Sequence, residues 1–244
     1  MPNVQEIIDR QLRRWELEKS MRVTEAPVAP RRLQPVITVS RQRGSGGSSI
    51  AERLATRFQY TLLDRDLVDR ICASAGTIRR VVETLDEHTK PQVTSFCESL
   101  IGGGYVDASD YVRHLLEVIR SFSELGGVVV VGRGANFVVG PERGFHVRLV
   151  APLEVRVRRI MERDQLREKA AQHLVESSDH DRETFIRKVY HHDINDPTAY
   201  DLIINTGHLT FEVADHVVAL AAMEKFDLLR RAMAQETKAA GVKT

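Results

Sequence analysis

The feature that most constrains this chain is a β-branched run, Val36-Ile37-Thr38-Val39, followed closely by a glycine-rich turn, Gly44-Ser45-Gly46-Gly47-Ser48-Ser49. After the turn, Ile50, Ala51, Leu54, Ala55 and Phe58 recur at helical spacing. The order is therefore strand, phosphate-sized turn, amphipathic helix. Glycines at 44, 46 and 47 let backbone N–H groups turn inward toward an anion, and the helix adds its unpaired first-turn amides and the positive end of its dipole. Ser48 or Ser49 can supply a hydroxyl, either to Mg²⁺ or to a phosphate. A turn that merely joins strand to helix is the plainer alternative. The position directly after the first strand favours a phosphate seat.

Four more short apolar runs read as strands: Tyr60–Leu63, Val128–Val131, Phe145–Val150 and Leu202–Asn205. Helical patterns fill the intervals: residues 67–124, broken at Pro91 and Gly102–Gly104, then a basic stretch over 153–176 and a last helix over 210–235. Residues 177–197 are polar and rich in His and Asp, and no element is assigned there. Apolar strands alternating with helices predict an α/β fold with a parallel five-stranded sheet covered on both faces. Residues 1–35 divide into an amphipathic helix (Val4, Ile7, Ile8, Leu12, Trp15) and a linker with Pro27, Pro30 and Pro35. The expected organisation is this appendage, a domain over 36–235, and a tail over 236–244. The detached helix points to a homodimer.

The net charge is +1, and aromatics are only 6% of the chain, which argues against nucleic acid as partner. No apolar run approaches the roughly 20 residues of a membrane span. Two cysteines without metal-ligand spacing and a charged, leaderless start predict a cytoplasmic protein. His191-His192-Asp193 lies in no metal-binding frame, and no Ser/His/Asp grouping suits a hydrolase. Tyr105, Asp107, Asp110 and Tyr111 either line a pocket or cap a helix.

The stretch ITVSRQRGSGGSSIAERLATRFQYTLLDRDLV resembles the opening of the cytidylate kinase-like family, related to the P-loop nucleoside monophosphate kinases. The likeness continues through VVVVGRGANFVV and HVRLVAPLEVRVRRIMER to NDPTAYDLIINTGHLTFEVADHVV. It implies a P-loop kinase-like parallel sheet with a helical monophosphate-binding insertion and a lid. It also implies phosphoryl transfer from ATP, with Mg²⁺, to a nucleoside monophosphate such as CMP or a related small acceptor. On that resemblance Arg43 to Ser49 hold the donor phosphates, with Ser48 as the Mg²⁺ ligand. Asp64, Arg133 and Arg182 face the acceptor, while Arg41, Arg133, Arg159 and Arg163 serve catalysis.

The chain departs from the full motif G-x-x-x-x-G-K-[ST] at two ends. Arg41 stands at the first glycine and Gly47 at the lysine, whose charge normally neutralises the β- and γ-phosphates. Val131-Gly132-Arg133-Gly134 also lacks the carboxylate that true cytidylate kinases carry there. Either Arg41 or Arg43 replaces the lysine, or the chain is a nucleotide-binding regulatory module with little turnover.

Overall fold

The computed structural model describes residues 35–74, 76, 78, 82, 85, 89–102 and 109–241, with residues 6, 9, 10 and 13. The N-terminal helix expected over 3–21, Tyr105 and Asp107 lie outside the described residues. Five parallel strands form one sheet in the order β2-β3-β1-β4-β5. They are β1 (Val36–Arg41), β2 (Thr61–Leu63), β3 (Val128–Val131), β4 (Gly144–Val150) and β5 (Leu202–Asn205). The sheet and its helices on both faces are those expected from the apolar runs.

The helices are α1 (Gly47–Phe58), α2 (Arg65–Cys72), α3 (Thr89–Gly102), α4 (Asp110–Leu125), α5 (Ala135–Val139), α6 (Leu153–Asp164), α7 (Glu168–Tyr190) and α8 (Phe211–Gly241). Alternation along the strands divides the core in two. Val36, Leu63, Val128 and Val130 face α2 to α5 and the end of α7. Ile37, Val39, Val129, Val131, Val147 and Leu149 face α1 and α8. The strands read as unbroken apolar runs because both faces are covered.

Two boundaries differ from the sequence reading. Pro91 does not interrupt α3, because it lies in the first turn, where a missing N–H costs no helical bond. The segment 177–190 is helical, and the helix expected over 153–176 breaks at Gln165 (φ 53°). Its polarity has a physical reason. Helix α7 anchors its start with Ala171 and Val175 against Val157 and Ile160, and its end with Ile186, Val189 and Tyr190 in the main core. Between these anchors it turns Ser178 and Arg182 to a cleft, so an apolar stripe is absent there.

Strand β4 buries polar side chains on the same side of the sheet. His146 is 4% exposed, pairs through Nδ1 with Thr38 Oγ1 at 2.8 Å, and places Nε2 3.1 Å from the Gly140 carbonyl. Arg148 reaches Ser40 Oγ at 3.0 Å and Asn195 Oδ1 at 2.8 Å. Burial holds the His146 pKa below its ordinary 6.5, despite the nearby Asp201 carboxylate. The unfolded chain therefore binds a proton that the folded chain refuses, and stability falls as pH drops below about 6.5. The stability of the native chain relative to His146→Gln, read from urea unfolding, is expected to decrease between about pH 7.5 and about pH 5.5. An unchanged difference would show that the ring is not held neutral.

Candidate phosphate-binding cleft

Strand β1 lies between β3 and β4, so the loop that follows it sits at the carboxyl edge, where the strand order reverses. The loop turns through Gly44 and Gly46, each with φ of 82°. Its carbonyls are gripped from behind. Arg156 Nη1 donates to the Arg43 carbonyl at 3.2 Å, Arg159 Nη1 to Gly44 at 3.3 Å and Thr206 Oγ1 to Ser45 at 2.9 Å. In a planar trans peptide the N–H points opposite the carbonyl. The amides of Gly44, Ser45 and Gly46 thus point away from these donors, that of Ser45 donating to the Gln42 carbonyl at 3.3 Å. Helix α1 starts at Gly47 without a side-chain cap, leaving its first-turn amides available to an anion.

Arg41 crosses this loop. A Cβ placed on Gly47 would lie 2.6 Å from Cβ and Cγ of Arg41, and one on Gly132 would collide with the Arg41 guanidinium. Gly47 has an ordinary negative φ, so space rather than backbone geometry demands glycine there. Among the described residues the Arg41 guanidinium has no hydrogen bond or ion pair. Burial, with Arg182, Arg65, Arg133 and Arg43 around it, pushes its pKa down to about 9. These five arginines line a cleft of about 340 Å³, together with Phe185.

Arg133 sits at the end of β3 in left-handed conformation (φ 53°), a strained placement for a residue with a side chain. The Tyr190 hydroxyl donates to its carbonyl at 2.7 Å. Its guanidinium pairs with Asp69, and the rings of Tyr111 and Phe185 flank it at 5.7 and 5.5 Å. Asp69 also accepts the Tyr111 hydroxyl at 2.8 Å; burial, then this bond, raises the Tyr111 pKa. Asp69 thus holds Arg133 and Tyr111 from α2, with Arg65 at 3.7 Å.

Arg41, Arg43, Arg133 and Arg182 therefore meet in one cleft, beside the loop of Gly44 to Ser49. Arg159 lies behind the loop, bonded to Gly44 and Thr206 and stacked 4.9 Å from the Phe211 ring centroid. Arg163 pairs with Asp164 at 2.6 Å on the surface and does not line the cleft. Asp64 is exposed and caps α2 by accepting the Leu67 amide at 2.8 Å. Ser109, rather than Asp110, caps α4. Ser48 and Ser49 are exposed in the first turn of α1. His192 stacks on Phe137 at 4.6 Å, and no group of three metal-ligating side chains occurs among the described residues. Sequence reasoning missed Arg65, Asp69 and Asp179. A hint of Arg156 lay in the basic run, but its role depends on which helix face turns to the loop.

A cation-rich cleft beside a glycine loop at the switch point of a parallel sheet is an arrangement suited to an anion such as a phosphate. The chain belongs to the cytidylate kinase-like family, whose model matches residues 36–208. It is similar to the cytidylate kinase of Halobacterium salinarum, 29% identical over 172 residues, which cover 70% of this chain and 81% of that enzyme. A uronate isomerase of Corynebacterium glutamicum is 35% identical over 122 residues, which span half of this chain but only 23% of that protein. The fold is also that of a solved protein from Eubacterium ventriosum, with a TM-score of 0.63 at 21% identity, covering 80% of this chain and 98% of that one. No described helix is long and apolar enough to cross a membrane.

The unpaired Arg41, buried among like charges, carries an electrostatic cost that a bound anion would remove. Arg41→Met is expected to raise the melting temperature without ligand by on the order of 2–4 °C. The same variant is expected to lose most of the stabilisation that inorganic tripolyphosphate confers. In the native chain, tripolyphosphate affinity should fall as pH rises through about 9, because deprotonation removes the Arg41 charge. Equal stabilisation of native chain and variant by tripolyphosphate would place the anion elsewhere.

Proposed function

We propose that this chain transfers a phosphoryl group from ATP, with Mg²⁺, to a nucleoside monophosphate of the CMP type or a related small acceptor. The observation that carries this reading is the path of Arg41 over Gly47. Where the full motif places a lysine, this chain has a glycine, and the room is filled by an arginine stem from the motif's first position. The cation is kept while its point of attachment changes. Arg43 is the weaker substitute, because it already lies 3.7 Å from Asp164.

Bound ATP supplies the transferable γ-phosphoryl group, and Mg²⁺ screens its charge. The residues fit that group: the inward amides of the loop and the uncapped start of α1 receive phosphate oxygens. Mg²⁺ keeps several waters and takes much of its shell from phosphates, so the Ser48 hydroxyl suffices as a protein ligand without a preformed cage. Arg41 neutralises charge on the donor side. Arg133, oriented by Asp69, receives the acceptor phosphate with Arg65, beside the same carboxylate, and Arg182, in the same cleft. An acceptor phosphate oxygen is already anionic near neutral pH and needs no general base. Catalysis then rests on positioning and charge stabilisation, consistent with a GR turn that lacks a carboxylate.

The glycine at 47 also favours a second reading, a regulatory module that binds nucleotide without turnover. Coupled ADP-release assays over a panel of monophosphates separate the two. Turnover is expected with one acceptor, and Arg133→Ala and Arg41→Ala should each lower kcat by about 10²–10³-fold. Nucleotide binding without turnover on any acceptor would overturn the kinase reading.

A further inference from the structure

Asp179 stands midway along α7 and takes three donors at once. Its Oδ1 accepts the Arg43 amide at 2.7 Å and Arg182 Nη1 at 2.8 Å, and its Oδ2 accepts Arg156 Nη1 at 2.6 Å. A backbone amide at the mouth of the glycine loop and two guanidinium groups form the donor set of a phosphate site. The seat is built: Arg156 is 9% exposed and is fixed through Nε to the Ala151 carbonyl at 2.8 Å. Asp179 itself is only 18% exposed.

We propose that Asp179 acts as a built-in anion on the phosphate loop, and that a phosphoryl group of the incoming nucleotide takes its seat as the carboxylate swings away. This rests on the loop being the nucleotide site. One carboxylate leaves the surroundings cationic, since Arg182 joins this seat to the adjoining cleft, which Arg41, Arg43, Arg65 and Arg133 also line. A phosphate chain carries more charge and more acceptor oxygens than a carboxylate, so it outcompetes Asp179 for the same donors. Helix α7 is anchored at both ends, by Ala171 and Val175 in one cluster and by Ile186, Val189 and Tyr190 in the other. The exchange is therefore a side-chain rotation of Asp179 rather than a lifting of the helix. Empty, the carboxylate keeps the loop ordered and guards it against weak anions; occupied, the seat passes to substrate.

Inorganic tripolyphosphate is the probe, because it needs no acceptor and no turnover. Calorimetry should show Asp179→Asn, which keeps shape but removes charge, binding tripolyphosphate about tenfold more tightly than the native chain. A crystal structure of the native chain with tripolyphosphate should show the Arg43 amide donating to a phosphate oxygen. Unchanged or weaker binding by a folded Asp179→Asn would overturn the inference while leaving the nucleotide reading intact. So would a complex in which Asp179 still holds the Arg43 amide beside the bound anion, a readout that stands even where the variant fails to fold. No binding by either protein would remove the phosphate-site reading itself, and the inference with it.

Discussion

The structure turns on a concentration of positive charge that the protein leaves incompletely neutralised. Arg41, Arg43, Arg65, Arg133 and Arg182 converge at the carboxyl edge of the sheet, and Arg41 has no partner among the described residues. Like charges in a partly buried cleft oppose folding, so the surroundings must hold them in place. The apolar faces of the sheet do so by fixing the strand ends. Asp69, through Arg133, and Asp179, through Arg182, add partial countercharge. In a chain whose net charge is only +1, this local excess is the feature that suits the cleft to an anion.

Arg41 and Gly47 form a coupled exchange. A side chain at 47 and a long stem at 41 compete for one space above the loop, so on the proposed function the phosphate cation can come from either position but not from both. Gly132 completes the fit by clearing room for the guanidinium. An arginine differs from lysine in offering a planar fork of donors and a charge that resists deprotonation. Here burial, and then the neighbouring arginines, lower its pKa to about 9, still above neutrality, so the guanidinium remains charged under ordinary conditions.

All five strands were legible in the sequence because burial on both faces makes them apolar without alternation. The loop was legible because glycines at 44, 46 and 47 follow the first strand directly. The choice between Arg41 and Arg43 was not, since it depends on a stem packing across a residue six positions later. The basic run at 156–163 misled in part. Its spacing put Arg156, Arg159 and Arg163 on one face, yet α6 turns Arg156 and Arg159 to the loop carbonyls and Arg163 to Asp164 at the surface. Asp64 drew attention by its place after β2, but it is spent on a helix cap, and Asp69 one turn further on reaches Arg133. The second half of helix α7, beyond residue 176, escaped detection because part of it faces a charged cleft, and composition there reports the cleft rather than the fold.

The coupling between positions 41 and 47 tests the assignment of the phosphate cation most directly. ATP affinity, measured by calorimetry on the native chain, Arg41→Gly, Gly47→Lys and the double variant, closes a thermodynamic cycle. Each single variant is expected to bind ATP at least tenfold more weakly, one for lack of the cation and the other through collision with the Arg41 stem. The double variant, with the lysine restored in the space vacated, is expected to recover most of that loss. Additive losses, with the double variant weakest of all, would contradict the exchange and leave Arg41 without a role at the phosphates.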